Sequence, residues 1–416
     1  MIPRVAEVQA TNIPFAKPEI CEEAIEAAQR VLRSGWLTTG PEVAEFEREF
    51  AERIGARHAV AVSSCTAAIE LSLRALHLEP GSKVLTSTMT FCGAVHAIVH
   101  AGLEPVLVDV NPHTLMPDPS TVLAAIRRVG CVDAMVIIHM AGHPAPVSAL
   151  ASAAGLSLDK VVEDAAHGLG TWVENQPVGS ISAATAFSFY VTKNLPIGEG
   201  GMVTTNDDRM AAEIRRSRLH GMSHDAWKRH MPGANWHYTV EASGLKANMT
   251  DLQAAIGRAQ LARFDEWQAS REELADLYDE GLAGVPGISL PLRPSRGRHA
   301  WHLYIVHLER EFGMYRDEFI VRLSEAGIDC SVHFIPVHIQ PYFLRTLRNF
   351  SVGDFPGADS VSWRLVSLPF YPALGAEGVA CVTETIARLA AAPPRHIALA
   401  RNNLASSSGV ARGATR

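Results

Sequence analysis

HAVAVSSCTAAIELSLRAL, residues 58–76, joins two periodicities that set the fold class. Its first part is a continuous apolar run of strand length. From Thr66 onward the apolar residues recur at helical spacing instead. The same pairing repeats outward along the chain. Strand-like runs lie at 58–64, 83–90, 105–110, 134–140, 160–164, 185–190 and 200–206. Helix-like stretches at 66–76, 91–101, 120–129 and 146–154 separate most of the earlier ones. Continuous apolar strands alternating with helices predict a mainly parallel sheet covered on both faces. The class is α/β. Upstream, residues 41–55 carry clear helix signals. Pro41 suits a first helical position, Val43, Phe46, Phe50 and Ile54 share one face, and Gly55 can cap the end.

Beyond the sheet, a long amphipathic stretch at 250–282 is predicted to lead away and link two domains. A strand at 300–308, a helix at 316–325, a strand at 329–334 and a helix at 378–389 then predict a smaller C-terminal α+β domain. The expected division is an N-terminal segment and large domain at 1–265, a linking helix and small domain at 266–392, and a disordered tail at 393–416. From Pro393 onward the chain is rich in Ala, Arg, Ser and Asn and has no acidic residue.

Composition excludes several functions. The 416 residues include 37 Lys and Arg against 44 Asp and Glu, for a net charge of −7, which gives no footing for nucleic-acid or polybasic membrane binding. The longest uncharged stretch, 134–158, is broken by His139, His143, Pro144 and Pro146, so no membrane span is expected. Six cysteines form no CxxC pair, and the N-terminus lacks a signal-peptide pattern. Reduced thiols in a cytoplasmic protein are expected. His96 and His100 lack a third ligand, and no metal site is assigned. GEGGMV, residues 198–203, precedes a strand rather than a helix and is not a dinucleotide fingerprint.

In open α/β sheets ligands bind beyond the carboxyl ends of the strands. Asp164 and His167 follow one predicted strand, and Ser188 and Lys193 follow another. A carboxylate and a lysine at neighbouring strand ends are what pyridoxal phosphate needs: the lysine to condense with its aldehyde, the carboxylate to keep its ring nitrogen protonated. The bland reading of each residue alone is a turn cap and a solvated lysine. The strand-to-helix junction at 63–68 offers free amides, at Thr66 and Ala67, and a hydroxyl to a phosphate, with Ser188 as a second hydroxyl. Phe91 ends another strand, where it can stack on a cofactor ring or simply join the core.

Together these motifs resemble the nucleotide-sugar aminotransferases of the DegT/DnrJ/EryC1/StrS family. The resemblance runs from about Ile13 to Leu389. It rests on SSCTAA (63–68), TF (90–91), EDAAH (163–167), FSF (187–189), KN (193–194), EGG (199–201) and NMTDLQAAIG (248–257). SGWLTTGP (34–41), AWHLY (300–304), VHFIPVH (332–338) and SLP (367–369) match it too. It implies a type I, aspartate aminotransferase-like pyridoxal-phosphate fold, and a homodimer whose active sites are shared between subunits. Lys193 matches the cofactor-binding lysine and proton shuttle, Asp164 the partner of the ring nitrogen, His167 a position near the ring, and Phe91 the stacking aromatic. Thr66, Ala67 and Ser188 match phosphate contacts, with Cys65 standing where many members have glycine. Lys246 is the candidate phosphate ligand from the neighbouring subunit and Asn248 the reserve, since the common Asn-Tyr-Arg is absent here.

The resemblance further implies substrate contacts at Trp36, Tyr190, Arg229 and His333, with His333 reaching in from the partner subunit. The basic stretch 215–237, with Arg215, Arg216, Arg218, Lys228 and Arg229, is a candidate for the substrate pyrophosphate or else a solvated surface. The expected reaction moves an amino group from an amino acid, L-glutamate first, to a nucleotide-linked keto-sugar. C4 of a TDP- or UDP-4-keto-6-deoxyhexose is the first choice, ahead of a 3-keto-sugar or a keto-cyclitol. A sugar 3-dehydratase would carry histidine in place of Lys193. A catalytically silent sensor on the same fold would not need Asp164, Ser188 and Lys193 together.

Overall fold

AMVII, residues 134–138, has no polar side to turn toward water, so both of its faces must be covered. In the computed structural model, which describes residues 12–223, 238–351 and 353–391, every residue of this strand is buried. The chain opens with helices α1 (Glu22–Ser34) and α2 (Pro41–Ile54) and strand β1 (His58–Val62). Then come α3 (Cys65–Ala75), β2 (Lys83–Ser87), α4 (Cys92–His100), β3 (Glu104–Val108), α5 (Pro119–Val129), β4 (Ala134–Ile138), α6 (Val147–Ala154) and β5 (Val161–Ala165). A small hairpin of β6 (Trp172–Val173) and β7 (Gln176–Pro177) leads to β8 (Ala184–Ser188), β9 (Gly201–Thr205) and α7 (Asp208–Ser217).

The seven-stranded sheet runs β1-β9-β8-β5-β4-β2-β3. Strands β3, β2, β4, β5 and β8 pair in parallel, and β9 runs antiparallel to both β8 and β1. Register sets the site: Asp164 lies opposite Ala186 and Ala165 opposite Phe187, so the ends of β5 and β8 finish side by side. Helices α3 and α4 bury one sheet face through Ala68, Ile69, Leu71, Ala94 and Ile98. The other face is covered in part by α2. There Phe46, Phe50, Phe187 and Phe189 interlock at centroid separations of 5.1–6.0 Å, each burial contributing about 2–3 kcal/mol.

The expected linker helix is in fact two, α8 (Asp251–Ala262) and α9 (Phe264–Leu282), parted at Arg263. A capping box of Thr250 and Gln253 starts the first. A second sheet follows, built from β10 (Ile288–Ser289), β11 (Tyr304–Leu308) and, after α10 (Arg316–Glu325), α11 (Pro341–Thr346) and α12 (Pro356–Val361), from β12 (Leu365–Leu368). The last helix, α13 (Gly375–Ala391), packs Val379, Val382 and Ile386 with Tyr278, Tyr304 and Phe319 into a separate core. Residues 329–334, expected as a strand, make only an isolated bridge from Ser331 to Ser367. An apolar run without a ladder partner does not become a strand. The six cysteines are unpaired. No helix among the described residues is long and apolar enough to cross a membrane. The expected tail at 393–416 lies outside the described residues.

Candidate active site

The carboxyl ends of β1, β2, β5 and β8 open into one cavity of about 610 Å3. Asp164, His167, Ser188, Tyr190, Lys193, Cys65, Thr66 and Phe91 all line it, brought together from stretches that lie far apart in sequence. Asp164 is 4% exposed, and its Oδ1 accepts the Ala166 N–H at 3.0 Å. Burial raises its pKa, while that hydrogen bond and the nearby Lys193 pull it back toward the carboxylate. Lys193 is half-buried at the cavity wall. Loss of water pushes its ammonium down to about 8, against the opposing pull of the Asp164 carboxylate. Such an amine is far more nucleophilic near neutral pH than a surface lysine.

At the far end, Ser64 caps α3 and its Oγ accepts the Ala67 N–H at 3.1 Å. That corrects one expectation: the Ala67 amide is spent on the cap, and Ala67 does not line the cavity. The first-turn N–H groups of Cys65 and Thr66 have no helical acceptor and face the cavity end of α3. The space beside them is kept by glycines. A Cβ on Gly93 would sit 2.7 Å from Thr66 Oγ1, and one on Gly201 would sit 2.5 Å from the Ser64 carbonyl carbon. The Cys65 thiol turns inward, 3.5 Å from the Ala186 carbonyl and 3.7 Å from Asp164 Oδ1. Burial, then the Asp164 charge, drive its pKa well up, so it is a neutral thiol. Phe91, 60% exposed, stands at the rim with its ring centroid 6.2 Å from that of Phe334.

Three histidines crowd around Lys193. His167 Nδ1 accepts the Ala141 N–H at 3.2 Å, and its ring stacks on Phe334. Burial holds His167 and His302 well below the ordinary imidazole range, and burial, then Lys193, push His333 down to about 4. All three are therefore neutral. His302, with its ring centroid 4.4 Å from that of His167, brings Nε2 to 3.5 Å from Lys193 Nζ. The AWHLY motif alone gives His302 no role. The signal available was a histidine near the start of the expected strand 300–308, two residues ahead of β11.

Several expected contacts lie elsewhere. His333, expected from the partner subunit, lines the cavity of its own chain, held there by a 2.8 Å hydrogen bond to Ser367 and by stacking on Phe15. Lys246 is exposed and donates to Asn248 Oδ1 at 2.5 Å, while Asn248 Nδ2 donates to Thr39 Oγ1 at 2.7 Å. Neither lines the cavity. Trp36 faces a second cavity of about 470 Å3 with Arg30, Ser34 and Asp251. Arg215 and Arg218 are tied to Glu47, and Arg216 to Glu213 and Glu241. Their guanidinium groups are engaged in ion pairs within the chain. Lys228 and Arg229 lie outside the described residues.

A buried carboxylate, an amine of depressed pKa and a glycine-walled helix N-terminus fit a phosphorylated aldehyde with a basic ring nitrogen. The model of the DegT/DnrJ/EryC1/StrS aminotransferase family matches residues 18–387. The chain belongs to this family. As a DegT/DnrJ/EryC1/StrS member it is 44% identical over 383 residues to the spore coat polysaccharide biosynthesis protein SpsC of Bacillus subtilis, covering 91% of this chain and 98% of that one. Its structure is similar to that of Spr1654 from Streptococcus pneumoniae in the PMP form, with a TM-score of 0.83 and 31% identity over 91% of this chain and 99% of the other. The PLP form of the same protein matches at a TM-score of 0.82. The sugar aminotransferase CalS13 from Micromonospora echinospora matches at 0.78, with 29% identity over 90% and 99% of the two chains. This DegT/DnrJ/EryC1/StrS chain is a pyridoxal-phosphate-dependent sugar aminotransferase with the type I fold.

Proposed function

We propose that the acceptor is a nucleotide-linked keto-sugar, aminated at C4 of a TDP- or UDP-4-keto-6-deoxyhexose, with L-glutamate as donor. The observation that carries this reading is the neutrality of the cavity around Lys193. Apart from Asp164, Lys193 and Glu199, its lining is uncharged, and its three histidines are neutral. Neutral imidazoles can donate to or accept from sugar hydroxyls without demanding an acidic substrate. The name of the Bacillus subtilis relative, a polysaccharide biosynthesis protein, supports a place in making an amino sugar.

In this reading the bound cofactor supplies an electron sink for the carbon that loses or gains a proton. Lys193 binds the cofactor aldehyde and, once freed, carries that proton on Nζ. The Asp164 carboxylate keeps the ring nitrogen protonated. The Cys65 and Thr66 amides, Thr66 Oγ1 and Ser188 Oγ hold the phosphate. Phe91 would stack on the cofactor ring and His167 would stand near it. Tyr190 and His333 contact the sugar. The enzyme is a homodimer in which Lys246, or in its place Asn248, completes the partner's phosphate site, and Trp36 is a further substrate contact. We assign it to the cytoplasm, in keeping with six unpaired cysteines. The large and small domains divide at 265/266, close to the break at Arg263.

The test is turnover of purified enzyme with glutamate against TDP- and UDP-linked 4-keto- and 3-keto-sugars and free keto-cyclitols, with the aminated carbon assigned by NMR. Amination at C4 is expected. Turnover confined to 3-keto-sugars or keto-cyclitols would overturn the regiochemistry.

A further inference from the structure

We propose that His302, locked in one tautomer by Asn194, is the hydrogen-bond acceptor that positions the Lys193 amine through its gain and loss of a proton. This rests on the reading of Lys193 as the proton carrier. Asn194 is 6% exposed, and its Nδ2 donates to the Ala300 carbonyl at 2.8 Å. That bond fixes the amide so that Oδ1, which can only accept, faces His302 Nδ1 at 3.1 Å. Nδ1 must therefore carry the hydrogen. In a neutral ring the other nitrogen is then a bare lone pair, and Nε2 is the atom that lies 3.5 Å from Lys193 Nζ. The backbone around the ring is anchored as well, since the His302 N–H donates to the Ala141 carbonyl at 2.9 Å.

The groups facing the pair all fit an acceptor that stays neutral. The Asp164 carboxylate favours the charged form of Lys193. Burial, Lys193, His167, Arg271 and His333 together disfavour a charged His302. When Nζ takes a proton, the ammonium donates into Nε2, and the proton remains on the lysine. When Nζ gives the proton up, the same lone pair still accepts an N–H of the amine and limits its rotation. His302 thus holds a geometry and carries no charge of its own. Catalytic contacts of this kind are commonly longer in ligand-free sites than in the working complex.

The experiment is competitive acetylation of cofactor-free protein with acetic anhydride across pH, with Lys193 modification measured by peptide mass spectrometry. His302→Leu, which removes the lone pair, should lower the midpoint of Lys193 labelling by about one pH unit, because a hydrogen bond to the ammonium is lost. His302→Gln, which restores an acceptor, should return the midpoint to within a few tenths of wild type. Identical midpoints in all three proteins, or Leu and Gln variants shifted alike, would overturn the proposal. If His302→Leu does not fold, Asn194→Ala releases the tautomer and should shift the midpoint in the same direction; an unchanged midpoint there overturns it equally. A cofactor found on another lysine would instead remove the proton-carrier reading and leave this midpoint comparison legible.

Discussion

Desolvation sets the chemistry of Lys193 more than any single partner does. With a pKa lowered to about 8 by burial, its neutral fraction rises steeply between pH 7 and pH 9. Cofactor uptake by the cofactor-free protein should climb about tenfold between pH 7 and pH 9 and then level off. Stopped-flow absorbance would check this, and a midpoint near that of a surface lysine would contradict it. Asp164 makes a second residue-scale prediction. Asp164→Asn should retain the cofactor but lose turnover by about a hundredfold or more, because an uncharged ring is a weaker electron sink. Activity within a few-fold of wild type would assign the ring nitrogen to another residue. Both residues were legible because each stands just past a strand-length apolar run. His302 and Asn194 were not: their hydrogen bond joins positions 108 residues apart, and tautomers belong to tertiary networks rather than to sequence patterns.

The strand β9 and helix α3 meet at Gly201, where the site's backbone depends on a missing side chain. A Cβ there would press on the Ser64 carbonyl carbon and oxygen and on the Cys65 nitrogen, at 2.5–2.8 Å. These are backbone atoms and cannot swing away. Gly201→Ala should therefore displace the first turn of α3 and weaken cofactor affinity by about tenfold or more, since the phosphate amides lie there. Fluorescence titration of the cofactor-free variant measures this, and wild-type affinity would show that the cradle tolerates the shift. Elements as such were mostly legible, because strand and helix periods differ. At 63–68 the change from strand to helix period coincides with the junction of β1 and α3. Two elements misled for physical reasons. The periodicity of 250–282 runs through the break at Arg263 without interruption, and 329–334 has strand composition but finds only Ser367 as a partner.

The proposed homodimer rests on residues that the single chain leaves away from its own cavity. Lys246 and Asn248 carry the sequence features of a phosphate site yet bond to each other and to Thr39. If sites are shared, equal mixing of Lys193→Ala and Lys246→Ala subunits should restore about a quarter of wild-type activity, since half the dimers then hold one intact site. No recovery in verified mixed dimers would reject the shared site. The sequence alone misjudged His333 at this scale. Its motif suggested a residue supplied across an interface, but Ser367 and Phe15 fold it onto the cavity of its own chain. Periodicity cannot tell which subunit a loop will serve.

One lysine, Lys193, both holds the cofactor and moves the proton in the proposed mechanism. Borohydride reduction of the yellow holo-protein followed by peptide mapping tests it most directly. The phosphopyridoxyl group should be found on Lys193, with the visible absorbance lost in step. A group mapped to Lys83, Lys160, Lys246 or any other lysine would contradict the account.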